Sequence, residues 1–350
     1  MIGRSDNERS RLVRGFSFAV TAAVMVGCGT KAPQWTTLAG KAQGTTFTIK
    51  YLDSLHRDLS GPIDSIFKAI DRSLSLWDST STVTAFNAAV DTFASTDVHF
   101  RTMVSLSHGL WMTTDKTFDP TVLPLVKAWG LGKEGRTGLD TAAVDSLRHV
   151  LGMDRIAIDE RWRQQTVLAP MITYHKERAG VQFDPNGIAQ GYTVDVIAIH
   201  LQQHGITNYM VEVGGEVRTK GSNANGTAWT LQIDKPVDGV EHVQQTVVPV
   251  QDRSLATSGN YRKFIEINGK RYGHTIDPRT GRPAMNALLS ASVIADDCAT
   301  ADALGTALMV MGPEQARSWL ARHREMEAYL VTDDGSGGYA VWTTPGWPGE

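Results

Sequence analysis

The stretch Ser254–Pro283 concentrates residues able to move a proton or hold phosphate oxygens. Hydroxyls at Thr257 and Ser258 precede Gly259. Further on, the imidazole of His274, a side chain that titrates near neutral pH, precedes the breaker-rich run Asp277-Pro278-Arg279-Thr280-Gly281-Arg282-Pro283. Between them, Asn268-Gly269 is a strong two-residue hairpin signal, flanked by Phe264, Ile265, Ile267, Tyr272 and Ile276. Antiparallel pairing is expected to bring the two ends of the stretch together. Residue types alone leave two readings open, a proton-transfer or phosphate site, or a set of turns with a surface histidine. A second pair follows. Asp302 and Thr306 are four apart where the apolar residues fit a helix, so both project from one face, one turn apart. A carboxylate and a hydroxyl so placed could share a hard cation. Equally, Asp302 could complement the helix dipole while Thr306 bonds back to a carbonyl. Clusters of Cys and His suited to softer metals are absent from the sequence.

The elements that must position these residues are strands and helices without strict strand–helix alternation, which indicates an α+β fold. Gln43–Tyr51 alternates as a strand, with Gly44 expected to let the backbone approach something closely. A helix is expected over Asp58–Trp77, with Ile63, Ile66, Phe67, Ile70 and Leu74 as its core stripe. Another is expected over Phe100–Asp115, and a short one over Asp140–Leu151 with Asp140 as N-cap. Short strands are read at 156–158 and 166–168. The turn at Asp184–Gly187 opens a helix to about His204, and such a helix start presents unpaired N–H groups that suit a diphosphate. Strands at 208–213, 229–236, 246–250 and 288–295 are expected to continue one antiparallel sheet. Helices over Ala299–Gly312 and 313–323, and strands near 328–332 and 339–342, close the chain.

Several of these segments together resemble the signature of the ApbE family, flavin transferases that attach FMN from FAD to proteins. The resemblance rests on Ala256-Thr257-Ser258-Gly259-x-Tyr261-Arg262, on Tyr272-x-His274, and on Ile276-Asp277-Pro278-x-Thr280-Gly281-x-Pro283. Phe118-Asp119-Pro120-Thr121-Val122-x-Pro124-Leu125-Val126-x-x-Trp129-Gly130 is similar to the family's FDPTVxPLVxLWGFG over thirteen positions. The run from Asp184 to Asp195 resembles D-x-GGIAKGYAVD, with Gln190 in place of Lys. Asn208 to Arg218 resembles NxLVxxGGxxR, and Ala301 to Gly312 resembles ADALxTAxxVMG. Gln43 stands where the family's first strand carries Met, and Trp77 where Tyr is common, ahead of Ser81 and Phe86-Asn87.

The resemblance implies magnesium-dependent cleavage of the FAD pyrophosphate, with FMN passed to a Thr or Ser hydroxyl of a target protein and AMP released. It implies a two-lobed fold of mixed or antiparallel sheets and flanking helices, with the site between the lobes. It assigns flavin contacts to Gln43, Trp77, Thr117, Phe118, Asp119, Asp184, Gln190 and Ile276, and the metal to the Gly187 carbonyl, Asp302 and Thr306. His274 becomes the proton-transfer or phosphate-contacting residue, and Asp302 also the base for the incoming hydroxyl. Two rivals stay open: a magnesium-dependent hydrolase giving FMN and AMP, and a lipid-anchored FAD-binding protein without turnover.

The composition fits this reading. A chain of 350 residues, 41% hydrophobic and 20% charged, builds a sizeable core, here expected over residues 41–350. Arg4, Arg9, Arg11 and Arg14 precede an apolar run from Phe16 to Val26, which is short for a membrane span but of signal-peptide size. The run ends at Gly27-Cys28, so residues 1–27 read as a lipoprotein signal, Cys28 as the lipidated first residue, and 28–40 as a tether. The expected location is anchored to a bacterial membrane, facing the periplasm. Removing residues 1–27, with four arginines against Asp6 and Glu8, moves the formal charge from −3 to −5. Nucleic acid is therefore not an expected partner. The expected partners are FAD, acceptor flavoprotein subunits presenting a Thr or Ser, and the membrane.

Overall fold

The computed structural model describes residues 32–131, 139–159, 171–235, 244–260, 264–267, 270–273, 275–336 and 338–349. Strands β1 (Gln34–Ala42) and β2 (Thr45–Asp53) form a hairpin in which Ala42 pairs with Thr45. The two-residue turn between them has φ values of 53° at Gln43 and 76° at Gly44. Positive φ at both positions matches the right-handed twist of the strands and favours Gly. A β-carbon added at Gly44 would meet nothing within 4 Å. The turn by itself favours glycine here. β1 begins at Gln34, inside the span 28–40 expected as a tether.

Helix α1 (Ser60–Leu74) buries Ile63, Phe67, Ile70 and Leu74, the stripe read from the sequence, and ends three residues earlier than expected as Ser75 turns extended. Next come α2 (Thr82–Ala88), capped by Ser81, and β3 (Thr92–Ser95). Helix α3 (Val98–Thr113) is capped by the Asp97 side chain. α4 (Leu123–Trp129) follows, then α5 (Thr141–Arg148), where Asp140 accepts from Ala143 N at 2.7 Å as the N-cap reading predicts. Strands β4 (Ile156–Asp159) and β5 (Ile172–Lys176) join β3 in a three-stranded sheet of order β3-β5-β4. The strand expected at 166–168 lies outside the described residues.

Helix α6 (Ala189–Gln203) then leads to β6 (Tyr209–Val213) and β7 (Glu216–Lys220). β8 (Trp229–Asp234) and β9 (Gln244–Val250) pair with each other as a separate ribbon and do not extend the main sheet. β10 (Ser254–Gly259) joins the main sheet between β7 and a later strand. The predicted hairpin is present as β11 (Phe264–Ile267) and β12 (Lys270–Gly273), with Ile267 opposite Lys270. It stands apart from β10, as does the small pair β13 (Ile276–Asp277) and β14 (Arg282–Pro283). Last are β15 (Leu288–Ala295), α7 (Cys298–Leu320), β16 (Glu327–Asp333) and β17 (Tyr339–Thr343). α7 is broken at Gly312 (φ 72°, ψ 174°) ahead of Pro313, where the sequence divides it.

The main sheet has eight antiparallel strands in the order β1-β2-β6-β7-β10-β15-β16-β17. One apolar core runs from Phe86, Phe100 and Tyr174 beside the small sheet to Ala291, Val293, Leu304 and Leu308 of β15 and α7. Pro33–Glu350 forms one compact unit. Among the described residues, no helix is long and apolar enough to cross a membrane.

Candidate active site

Three segments meet at the start of α6, and each is pinned by the residues around it. The first is the loop 183–188. Asn87 of α2 grips it like a paired strand: its Nδ2 donates to Phe183 O at 2.9 Å, and Phe183 N donates to its Oδ1 at 2.7 Å. One residue on, Asp184 N donates to Pro120 O at 2.7 Å, tying this loop to the second segment. That second segment runs through Thr117, Phe118 and Asp119, all buried. Asp119 accepts from Thr121 N at 2.8 Å and from Thr121 Oγ1 at 2.5 Å, capping the helical turn over Pro120–Val122. The third segment is α7, whose Asp302 is buried and accepts from Gly191 N at 3.1 Å.

Gly187 closes the group. A β-carbon built there would lie 3.2 Å from Thr306 Oγ1 and 3.4 Å from Phe118 Cε2. Thr306 Oγ1 is in turn 3.5 Å from Ser258 Oγ at the end of β10. Of the three residues matched to the metal by resemblance, Gly187 thus lies against Thr306 and Phe118, and Asp302, one turn before Thr306 on α7, bonds Gly191. Gln190 is next to them, its amide packed against the Gly214 turn, which also touches Thr45 just past the β1–β2 turn. Gln43, in that turn, is near enough to the Asp71 carboxyl to oppose the rise that burial imposes on it. Asp184 is half-buried and accepts from Asn186 N at 2.9 Å.

The remaining expected residues are not tied to this group by the described contacts. Thr117 Oγ1 donates to Thr114 O at 2.8 Å. Ile276 is buried with Leu125, Trp129, Val144 and Leu151 in a separate cluster. Trp77 is 82% exposed, which leaves its ring available to stack on a planar ligand. His274 lies outside the described residues.

Burial sets the charge state of the acids. It pushes Asp119 up to about 6, against the Thr121 hydrogen bonds that favour the ionised form. It pushes Asp184 up to about 6, against the Asn186 bonds and the charge of Lys127. Asp302 is also pushed up by burial, with the Gly191 N–H opposing and the Asp195 charge adding to the rise. Among the described residues no lysine or arginine pairs with Asp302, and no group of three His, Cys, Asp or Glu could hold a metal. A carboxylate, a hydroxyl and a backbone carbonyl are instead a donor set for a hard cation, and a cation would relieve the cost of ionising Asp302.

Asp119 gives a checkable pH effect. With its folded value near 6 and its ordinary value 3.8, the folded chain holds more proton than the unfolded chain between these pH values. Stability from this group is therefore present below about pH 4 and falls as pH rises towards 6, by on the order of 3 kcal/mol at most. Asp119→Asn keeps the acceptor oxygen and removes the titration. Thermal melts should decline less steeply for this variant than for wild type across that window; parallel declines would refute the assignment.

Sequence reasoning left Asn87 and Asp195 without roles. Each was visible within a motif, and a shared spacing of four residues, 187, 191 and 195 against 298, 302 and 306, was the signal available for the helix contact.

Comparison with known proteins points to one family. Residues 43–330 match the model of the ApbE family. The FAD:protein FMN transferase of Vibrio cholerae is 35% identical over 329 residues, covering 91% of this chain and 93% of that protein. The solved flavin transferase ApbE from Vibrio cholerae superposes with a TM-score of 0.76 at 32% identity, over 89% of this chain and 98% of that one. The apo flavinyl transferase ApbE of Pseudomonas stutzeri gives a TM-score of 0.78 at 29% identity, over 89% and 95%.

Proposed function

The chain belongs to the ApbE family, and from that premise we propose that it is an FAD:protein FMN transferase acting on a Thr or Ser hydroxyl of an acceptor protein. The hydroxyl oxygen attacks the phosphorus on the FMN side of the FAD pyrophosphate, the bond to AMP breaks, and the hydroxyl gives up its proton. The observation that supports this reading is the contact of Gly187 with Thr306 and Phe118 ahead of α6, with Asp302 one turn before Thr306 on α7 and bonded to Gly191 N.

These residues suit magnesium, which when bound supplies positive charge to the pyrophosphate oxygens. Asp302 brings the negative charge, Thr306 a hydroxyl and Gly187 a carbonyl. The buried Phe118 ring walls Gly187 on one side, while the amides at the start of α6 are already engaged, Ile188 and Ala189 N by Pro185 O and Gly191 N by Asp302, so they are not the free donors expected for a diphosphate. Asp119 and Asp184, whose carboxyls burial raises to about 6, are suited to accept a hydrogen bond from a flavin ring N–H, and Trp77 to stack on a ring. Asp302 and His274 are the residues proposed to take the acceptor proton. The acceptor assay that tests this reading closes the Discussion.

Gln190 replaces the family's Lys, keeping a donor and giving up the charge. Its amide lies against the Gly214 turn, beside the loop from which Gly187 faces Thr306. Gln190→Lys should tighten FAD binding roughly fivefold, because a hydrogen bond to a charged donor is about twice as strong as a neutral one. Fluorescence titration with FAD measures it; unchanged or weaker binding would mean that this position does not face the cofactor.

The lipid anchor at Cys28, with the domain facing the periplasm, is supported by the arginine-rich start and the short apolar run ahead of it. Detergent phase partitioning of the full chain tests it. Recovery in the aqueous phase would remove the anchor.

A further inference from the structure

Helices α6 and α7 run past one another as a ladder whose rungs are four residues apart on each side. The middle rung is the bond from Gly191 N to Asp302. One turn along α6, Asp195 meets the first turn of α7. Its carboxylate accepts from Cys298 N at 3.0 and 2.9 Å and from Ala299 N at 2.8 Å. One turn the other way, Gly187 meets Thr306. The two helices therefore exchange bonds reciprocally, an α6 amide to an α7 carboxylate and two α7 amides to an α6 carboxylate.

The contact is backbone to backbone, since a β-carbon on Gly191 would run into the Cys298 carbonyl. Asp297 occupies the ordinary N-cap place and takes Thr300 N at 2.8 Å, which leaves Cys298 and Ala299 for Asp195. Asp195 is buried, and its charge is met by Arg218 of β7, whose Nη1 donates to its Oδ1. A buried carboxylate held by three donors, one of them a cation, has little freedom to move.

We infer that Asp195, braced by Arg218, is a positioning residue that fixes the register of α7 against α6 and so sets Asp302 opposite Gly191 and Thr306 opposite Gly187. The inference rests on the proposed metal role of Gly187, Asp302 and Thr306. Asp195 itself touches no reacting atom. Its carboxylate holds the start of α7, and Asp302 follows one turn later on the same rigid helix.

Asp195→Asn keeps the side-chain shape and one acceptor oxygen but loses the second acceptor and the charge. Manganese binding to the FAD-free protein, followed by electron paramagnetic resonance, reads the site without turnover. The expected result is affinity lowered roughly 10- to 100-fold, the range for loss of a residue that orients a metal ligand. Hydrogen exchange at Cys298 and Ala299 should quicken in the same variant. AMP release from FAD should recover as metal concentration is raised, whereas a purely structural defect would lower turnover at every metal concentration. Unchanged manganese affinity in folded Asp195→Asn protein would overturn the inference alone. Wild-type protein that binds no manganese would overturn the metal reading, and the inference with it.

Discussion

Asp302→Asn should abolish magnesium-dependent AMP release while leaving the melting temperature at or above that of wild type. The two halves of this result have one cause. Asp302 is buried, burial has pushed its carboxyl up, and no described lysine or arginine offsets its charge. A group whose folded value is raised favours the fold below its ordinary value and disfavours it as pH rises, so at pH 8 the metal-free wild type carries the cost of a buried charge. The Asn carbonyl still accepts from Gly191 N, and that cost disappears. What Asn cannot supply is the charge that holds a cation against a pyrophosphate, an effect of several kcal/mol and thus roughly 100-fold or more in rate. Turnover by magnesium titration and melting by calorimetry check both halves. Full activity at ordinary magnesium would remove Asp302 from the site, and a large loss of stability would make it a structural residue.

Gly191→Ala should lower both stability and transfer, against what helix propensity alone predicts. In an exposed helix Ala is favoured over Gly by about 1 kcal/mol. Here the new methyl would be driven into the Cys298 carbonyl, which is backbone and has no rotamer by which to yield. Overpacking of this kind costs about 1–3 kcal/mol, and relief requires the helices to part. Parting them stretches the bond from Gly191 N to Asp302 and moves Thr306 from Gly187, so activity should fall further than stability does. A melt lowered by several degrees, with transfer reduced at least tenfold, is the expected outcome. An unchanged or raised melt would show that the helices do not touch there.

Much of this was legible in the sequence because it is local. The α1 stripe, the Asp140 cap, the Ile267–Lys270 hairpin register, strand β15 and the break at Gly312-Pro313 follow from periodicity, capping and turn chemistry within short windows. The misses have equally physical reasons. β1 has no buried residue, so no alternation announces it. α2 is seven residues long and carries three β-branched residues in Thr82, Val83 and Thr84, which hides it despite the Ser81 cap. β8 and β9 read correctly as strands, but which sheet they join depends on distant partners. The site divides the same way. Asp302 and Thr306 share a helix face by spacing alone, whereas their meeting with Gly191 and Gly187 and the grip of Asp195 on α7 depend on two helices about 100 residues apart approaching to backbone contact.

The most direct test of the central claim is denaturing electrophoresis of an acceptor domain presenting a Thr or Ser, after incubation with the purified chain, FAD and magnesium. The account predicts flavin fluorescence that survives on the acceptor band, with one AMP released per flavin attached and none without magnesium. A dark acceptor band with free FMN and AMP in solution would make the chain a hydrolase. A dark band with FAD intact would leave only a binding protein. Either result would contradict the transfer reaction proposed here.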